Sequence, residues 1–216
     1  IACKLLLNRG LDSPTVVLPA DHIINDKELF KKAIHSSFKI VEQNEGIVTL
    51  GINPTYPETG FGYIEKDELI GNVDGFNYFF TKRFTEKPNL IKARSYIESG
   101  TFFWNAGIFI FKPSYMLSEI EKFMPKLYDI IKNFSDVNLS NEMLNTIYNS
   151  NIEELSIDYG VLEKSKKVFI IPVNFDWSDI GSWKAFYDNL PKDKDNNTKK
   201  GDVLFFNTSG SMGISQ

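Results

Sequence analysis

Thr15-Val16-Val17-Leu18-Pro19-Ala20-Asp21-His22 is the stretch on which the fold reading turns. Thr15 to Leu18 is a short β-branched and apolar run, the composition of a strand buried on both faces of a parallel sheet. Pro19 has no N–H to give to a ladder, so the strand is expected to stop there. Asp21 then stands just past the strand's carboxyl end, the edge of open α/β sheets where ligands bind. A turn aspartate has the same appearance in sequence, so the rest of the chain must separate the two readings.

Outward from this stretch, strand and helix patterns alternate. Ile1 to Leu7 reads as the interior of a helix with no start signal of its own, ended by Asn8-Arg9-Gly10. Asn25-Asp26-Lys27-Glu28 fits a capping box in which Asn25 caps the helix and Glu28 reaches back. Phe30, Ala33, Ile34, Phe38 and Val41 follow at helical spacing, with Gly46 past the end. Ile47 to Ile52 is a second buried strand, which makes strand, helix and strand the unit of a parallel sheet with a right-handed crossover. Phe76 to Phe84 then alternates loosely and is rich in aromatics, an antiparallel or mixed addition to the sheet.

A helix is expected from Asn89 to Glu98, stopped by Gly100, and Thr101 to Gly107 reads as a polar-punctuated loop before the strand Ile108 to Phe111. Pro113 opens an amphipathic helix containing Leu117, Ile120, Phe123 and Met124. The Asn-rich run from Asn133 to Asn151 reads as irregular surface helices, and Ser156 to Val161 precedes a short helix ending in Lys164 to Lys167. Val168 to Val173 is another buried strand, and Val203-Leu204-Phe205-Phe206 begins a new β pattern. The fold class expected is α/β: a Rossmann-like, mixed but mainly parallel sheet flanked by helices, with the start of a C-terminal β segment.

Bulk composition narrows the function. Of 216 residues, 42% are hydrophobic and 24% charged, ordinary for a globular protein with one sizeable core. A net charge of -4 makes no electrostatic case for nucleic acid. No apolar run approaches the ~20 residues of a membrane span. The single Cys3 excludes an internal disulfide and fits a reducing, cytoplasmic compartment. Two histidines and one cysteine are too few to build a zinc cluster.

Candidate chemistry gathers at several points. Asp21 and Asp179 both follow strands, and together they suit one Mg²⁺, which is held by one or two carboxylates and substrate phosphates. Capping is the alternative, above all for Asp179 before a helix at Ile180 to Phe186. In Glu86-Lys87-Pro88 the functional assignment gives Lys87 to a phosphate and Glu86 to sugar hydroxyls; a solvated ion pair is the plain one. Gly62, ahead of Tyr63, lets a ligand approach the backbone or marks a bulge. Asn105 offers donor and acceptor to a hydroxyl, or belongs to a turn before a strand. His22 reads as a packed or partly exposed residue rather than a base, since nothing in the sequence pairs with it.

Leu18-Pro19-Ala20-Asp21-His22, Gly60-Phe61-Gly62-Tyr63-Ile64, Phe84-Thr85-Glu86-Lys87-Pro88, Trp104-Asn105-Ala106-Gly107-Ile108-Phe109, Ser156-Ile157-Asp158-Tyr159-Gly160 and Trp177-Ser178-Asp179-Ile180-Gly181-Ser182-Trp183 occur in this order. The set closely resembles the bacterial-type mannose-1-phosphate guanylyltransferases, across nearly the whole chain. The resemblance implies a sugar-nucleotidyltransferase fold, GTP and mannose 1-phosphate as substrates, Mg²⁺ as cofactor and a chain free to form a homo-oligomer. It implies further that Asp21 and Asp179 hold the metal. Gly62, Tyr63, Glu86 and Asn105 then line the sugar site, with Asp158 on its sugar side, and Lys87 faces phosphate.

One departure accompanies it: the family's glycine-rich loop, with its Arg and Lys, has no counterpart ahead of Ile1. The expectation is a catalytic domain at 1–195 lacking that loop, and the beginning of a C-terminal β region at 196–216. Other sugar nucleotidyltransferases (uridylyl or adenylyl) and a non-catalytic sugar-nucleotide-binding subunit are the rival readings. A glycosyltransferase of similar architecture would carry an Asp-x-Asp pair, which Asp21-His22-Ile23 does not supply.

Overall fold

Local signals account for most of the elements in the computed structural model, which describes residues 1–132 and 155–215 together with 145 and 149. The expected surface helices between Asn133 and Asn151 lie outside the described residues but for 145 and 149. The chain divides into two units, Ile1–Pro19 with Asp26–Phe175 and Ala20–Asn25 with Asp176–Gln216.

In the first unit, helix α1 (Ala2–Asn8) is followed by β1 (Thr15–Val17), α2 (Lys27–Gln43) and β3 (Ile47–Ile52). The short strand β2 (Ile23–Ile24) between them belongs to the second unit. The α2 cap is Asp26 rather than Asn25: its carboxylate accepts the Leu29 N–H at 2.9 Å, an interaction of about 1 kcal/mol. Glu28 pairs with Lys31 instead of reaching back. Strands β4 (Tyr63–Val73) and β5 (Phe76–Thr85) form an antiparallel hairpin. Its turn, Asp74-Gly75, has φ of 51° and 90°, the left-handed pair that a two-residue hairpin loop requires.

Helix α3 (Leu90–Ser99) is ended by Gly100 at φ 66°, as the sequence leads one to expect, and the Asn89 side chain caps its start. Next come β6 (Phe102–Phe111), α4 (Pro113–Phe123) and α5 (Pro125–Ile131). A single π-helical turn at Asp158–Leu162 precedes β7 (Val168–Val173).

The six strands run in the order β1-β6-β3-β7-β5-β4, and β4 also pairs with β6. The α/β class and the mixed sheet are as expected; the preponderance of parallel pairs is not. Among the described residues of this sheet only β3 and β7 pair in parallel, Ile47 beside Val168 through Ile52 beside Val173. Strands β1 and β3 are not neighbours, because antiparallel β6 lies between them.

Two strand expectations are corrected here. The β1 strand is not buried on both faces; among the described residues it pairs with β6 alone, and Val17 and Leu18 are 47% and 49% exposed. Thr101 to Gly107 is not a loop either, for all but Thr101 lies in β6, whose two edges are paired by β3 and β4 there. Apolar side chains of β3, β6, α4, the π-helical turn and β7 make the main core, with Ile1, Cys3 and Leu7 packed against it.

In the second unit, β2 pairs antiparallel with β8 (Trp177–Ser178). Helix α6 (Trp183–Asn189) follows, and β9 (Thr198–Lys200) pairs in parallel with β10 (Met212–Ile214). Val203 to Phe206, expected to start a strand, forms none; Leu204 and Phe206 are 93% and 86% exposed. Among the described residues no helix is long and apolar enough to cross a membrane.

Candidate active site

Within the first unit, the folded chain gathers residues from several distant segments into one polar cluster. Gly62 stands just before β4, Glu86 and Lys87 just after β5, Asn105 within β6 and Asp158 at the start of the π-helical turn. The β4–β6 pairing ties the first and third of these, with the Asn105 N–H donating to the Gly62 carbonyl at 2.8 Å. Asn105 Nδ2 in turn donates to Asp158 Oδ1 at 3.0 Å. A Cβ added at Gly62 would lie 2.5 Å from Glu86 Oε2, so the space that glycine leaves is taken by the Glu86 carboxylate.

Tyr63 contributes differently. Its ring is fully buried and its hydroxyl donates to the Glu58 carbonyl at 2.8 Å, so the side chain is packed into the core rather than open to a ligand.

The cluster is acidic. Burial raises the Glu86 carboxyl above its ordinary range, and the negative charges of Asp158 and Glu163 add to the effect against the opposing pull of Lys87. Burial likewise raises Asp158, opposed by its hydrogen bonds and by Lys87. Carboxylates are pure acceptors, so such a cluster suits the donating hydroxyls of a sugar. The neighbouring cation is placed for an anion at the rim. Lys87 Nζ lies 3.8 Å from Glu86 Oε1 while its side chain is 65% exposed, a loose pair. Its backbone sits at φ 46°, and its N–H donates to the Phe61 carbonyl at 3.2 Å.

Asp21 and Asp179 come together in the second unit. The Ile180 N–H donates to the Asp21 carbonyl at 3.3 Å. Both carboxylates also act electrostatically on His22, whose imidazole is held below its ordinary range by burial against their opposing effect. His22 is packed, as expected, but it does have a partner: Trp177 Nε1–H donates to its Nδ1 at 3.0 Å with the rings edge to face. The cap of α6 is Ser182, whose hydroxyl accepts the Ala185 N–H at 3.0 Å, which removes the capping role foreseen for Asp179. Gly181 leaves the room that the Asp179 carboxylate occupies, a Cβ there meeting Oδ2 at 2.8 Å.

Among the described residues no group of three or more His, Cys, Asp or Glu is arranged to hold a metal. Two carboxylates that both act on the same imidazole, one of them 74% exposed, nevertheless fit Mg²⁺, which takes few protein carboxylates and fills its shell with water and phosphate oxygens. Sequence reasoning missed Glu163, which follows the Ser156–Gly160 motif at helical spacing, and Thr49, whose hydroxyl reaches Asn105.

The nucleotidyl transferase family profile matches residues 1–196. Mannose-1-phosphate guanylyltransferase 2 of Escherichia coli O157:H7 is 38% identical over 206 residues, 93% of this chain and 42% of that protein. A mannose-1-phosphate guanylyltransferase of Sinorhizobium fredii (strain NBRC 101917 / NGR234) is 33% identical over 219 residues, 100% of this chain and 42% of that one. The chain thus spans less than half the length of these relatives. A solved structure described as mannose-1-phosphate geranyltransferase from Thermus thermophilus matches with TM-score 0.76 at 30% identity, over 93% of this chain and 56% of that one. With this profile matched along most of its length, the chain belongs to the nucleotidyl transferase family.

Proposed function

We propose that the protein transfers a guanylyl group from GTP to α-D-mannose 1-phosphate, giving GDP-mannose and pyrophosphate. The observation that carries this reading is the convergence of Glu86, Asn105 and Asp158 on one acidic pocket beside the exposed cation Lys87. The names of the relatives, mannose-1-phosphate guanylyltransferases at 33% to 38% identity, supply the base and the sugar.

A phosphate oxygen of the sugar phosphate forms the new bond to the α-phosphorus of GTP, and the bond from that phosphorus to the bridging oxygen breaks in line. The attacking oxygen is already anionic at neutral pH, so no general base is required. What the protein must do is align two anions that repel each other and offset their charge. Glu86, Asn105 and Asp158 orient the sugar through its hydroxyls, Gly62 gives the Glu86 carboxylate its space, the buried Tyr63 supports the strand beside it, and Lys87 offsets phosphate charge. Asp21 and Asp179 are the carboxylates that would hold Mg²⁺, which supplies positive charge to the phosphates when bound. On this reading residues 1–195 are the catalytic domain and 196–216 the start of a following β region. The setting is cytoplasmic, with neither nucleic acid nor membrane as partner.

Pyrophosphate release by the protein expressed from its complete reading frame tests this, with GTP, UTP or ATP against mannose 1-phosphate or glucose 1-phosphate. The expected result is a preference for GTP with mannose 1-phosphate. Preference for another nucleotide identifies a sister transferase, and binding of GDP-mannose without turnover identifies a regulatory subunit; either outcome overturns the proposal.

A further inference from the structure

Thr49 is the only polar side chain of β3, a strand buried along its whole length, and is itself 1% exposed. A hydroxyl in such a place is costly unless it is hydrogen-bonded. Its partner is Asn105 Oδ1, at 3.3 Å. Asn105 occupies the irregular part of β6: Thr49 faces Phe109 while Gly51 faces Asn105, so β6 carries extra residues across from β3. Gly107, at φ 66°, makes that bulge possible and turns its own N–H back onto Asn105 Oδ1 at 3.1 Å.

The Asn105 amide therefore has an unambiguous orientation. Its oxygen meets the Gly107 N–H, which can only donate, and its nitrogen meets the Asp158 carboxylate at 3.0 Å, which accepts. With the oxygen turned toward it, the Thr49 hydroxyl must be the donor in its contact. The terminal torsion of asparagine is a broad one that the backbone does little to fix. Gly107 belongs to the same bulge as Asn105 and moves with it, and Asp158 lies in the pocket. Thr49 is the anchor supplied by the buried centre of the sheet.

We infer that Thr49 is a positioning residue for the sugar pocket: its hydroxyl holds the plane of the Asn105 amide. Asn105 Nδ2 carries two hydrogens, one of which serves Asp158, and the held plane aims the other at a sugar hydroxyl. The inference deepens the proposed function and rests on Asn105 lining the sugar site.

The test is steady-state kinetics of Thr49→Val, Thr49→Ser, Asn105→Ala and the double variant Thr49→Val/Asn105→Ala, with thermal unfolding followed alongside. Valine keeps the shape and removes the donor; serine keeps the donor. Thr49→Val should raise KM for mannose 1-phosphate roughly fivefold, the scale of one hydrogen bond, with kcat nearly unchanged. Thr49→Ser should retain the wild-type KM even if the lost methyl lowers its stability. In the Asn105→Ala background, Thr49→Val should add nothing to KM.

A KM unchanged in Thr49→Val while Asn105→Ala raises it overturns this inference and leaves the sugar-site reading standing. No effect of Asn105→Ala overturns both. Equal defects in Thr49→Ser and Thr49→Val show that the hydroxyl is not the operative group. Should Thr49→Val not fold, Thr49→Ala against Thr49→Ser makes the same comparison.

Discussion

Replacing Gly62 by alanine tests how the proposed sugar site is assembled. Gly62 does not occupy the left-handed region, so alanine is permitted there by the backbone and the whole effect is one of space. The new methyl would stand 2.5 Å from Glu86 Oε2 and 3.1 Å and 3.3 Å from two atoms of the Phe84 ring. The carboxylate must therefore retreat by about 0.9 Å to reach the 3.4 Å at which ordinary contact begins. Glu86 can swing, but the half-buried Phe84 ring can yield only a little. Strain of this kind costs ~1–2 kcal/mol, within the range for an inserted methyl. For a chain of this size each kcal/mol lowers Tm by about 2–4 °C.

Thermal unfolding by circular dichroism measures the loss, and kinetics measures its consequence, a raised KM for mannose 1-phosphate as Glu86 leaves its place. The same substitution in a Glu86→Ala background removes the atom in closest conflict, so Gly62→Ala should cost clearly less there. An equal loss of Tm in both backgrounds, or none in either, would refute the view that Gly62 exists to seat the Glu86 carboxylate.

Other consequences are as direct. Asp21→Asn and Asp179→Asn should each abolish most pyrophosphate release, and the double variant should lose little more, because acids that serve one ion act as a unit. Losses that multiply fully would disprove a shared ion. Glu86→Gln should weaken discrimination between mannose 1-phosphate and glucose 1-phosphate, whereas Lys87→Met should slow both alike; wild-type selectivity in Glu86→Gln removes Glu86 from sugar recognition.

Asp158 predicts a pH effect. Burial raises its carboxyl above the usual 3.8, so the folded state holds that proton more firmly than the unfolded chain. Its contribution to stability is present below that value and is lost as pH rises through the folded value. Asp158→Asn cannot ionise, so in urea titrations its stability relative to wild type should improve from about pH 3.5 to pH 7; a constant difference would count against burial as the cause.

Features carried by neighbouring residues were legible. The buried run Ile47–Ile52, the start near Asn89 and Gly100 stop of α3, and the Pro113 start of α4 all stand where their local chemistry puts them. Helix caps were legible as a kind but not to the residue: Asp26 caps in place of Asn25, whose amide goes to Asp176 at 2.7 Å, and Ser182 caps in place of Asp179. Several nearby polar residues can each start a helix, and which one does depends on what else each side chain can reach. Asn105 was legible as a polar group worth noticing. Its placement inside a strand was not, since Asn and Gly between aromatics look like a turn until β3 and β4 occupy both edges.

The sequence by itself determined the alternation of strands and helices, the α/β class and the family motifs, because these depend on periodicity and on contacts a few residues apart. Which strands are neighbours was decided only in three dimensions. Thr15–Val17 has the composition of a buried strand, yet it is partly exposed, pairing among the described residues with β6 alone. The sites were decided there too. Asn105 finds Asp158 across 53 positions, and His22 finds Trp177 across 155. Glu86 finds the space beside Gly62 only once β4 and β5 have paired. Burial and hydrogen-bond partnership are properties of pairs, and the chain's own order does not say which pairs the closed sheet will bring together.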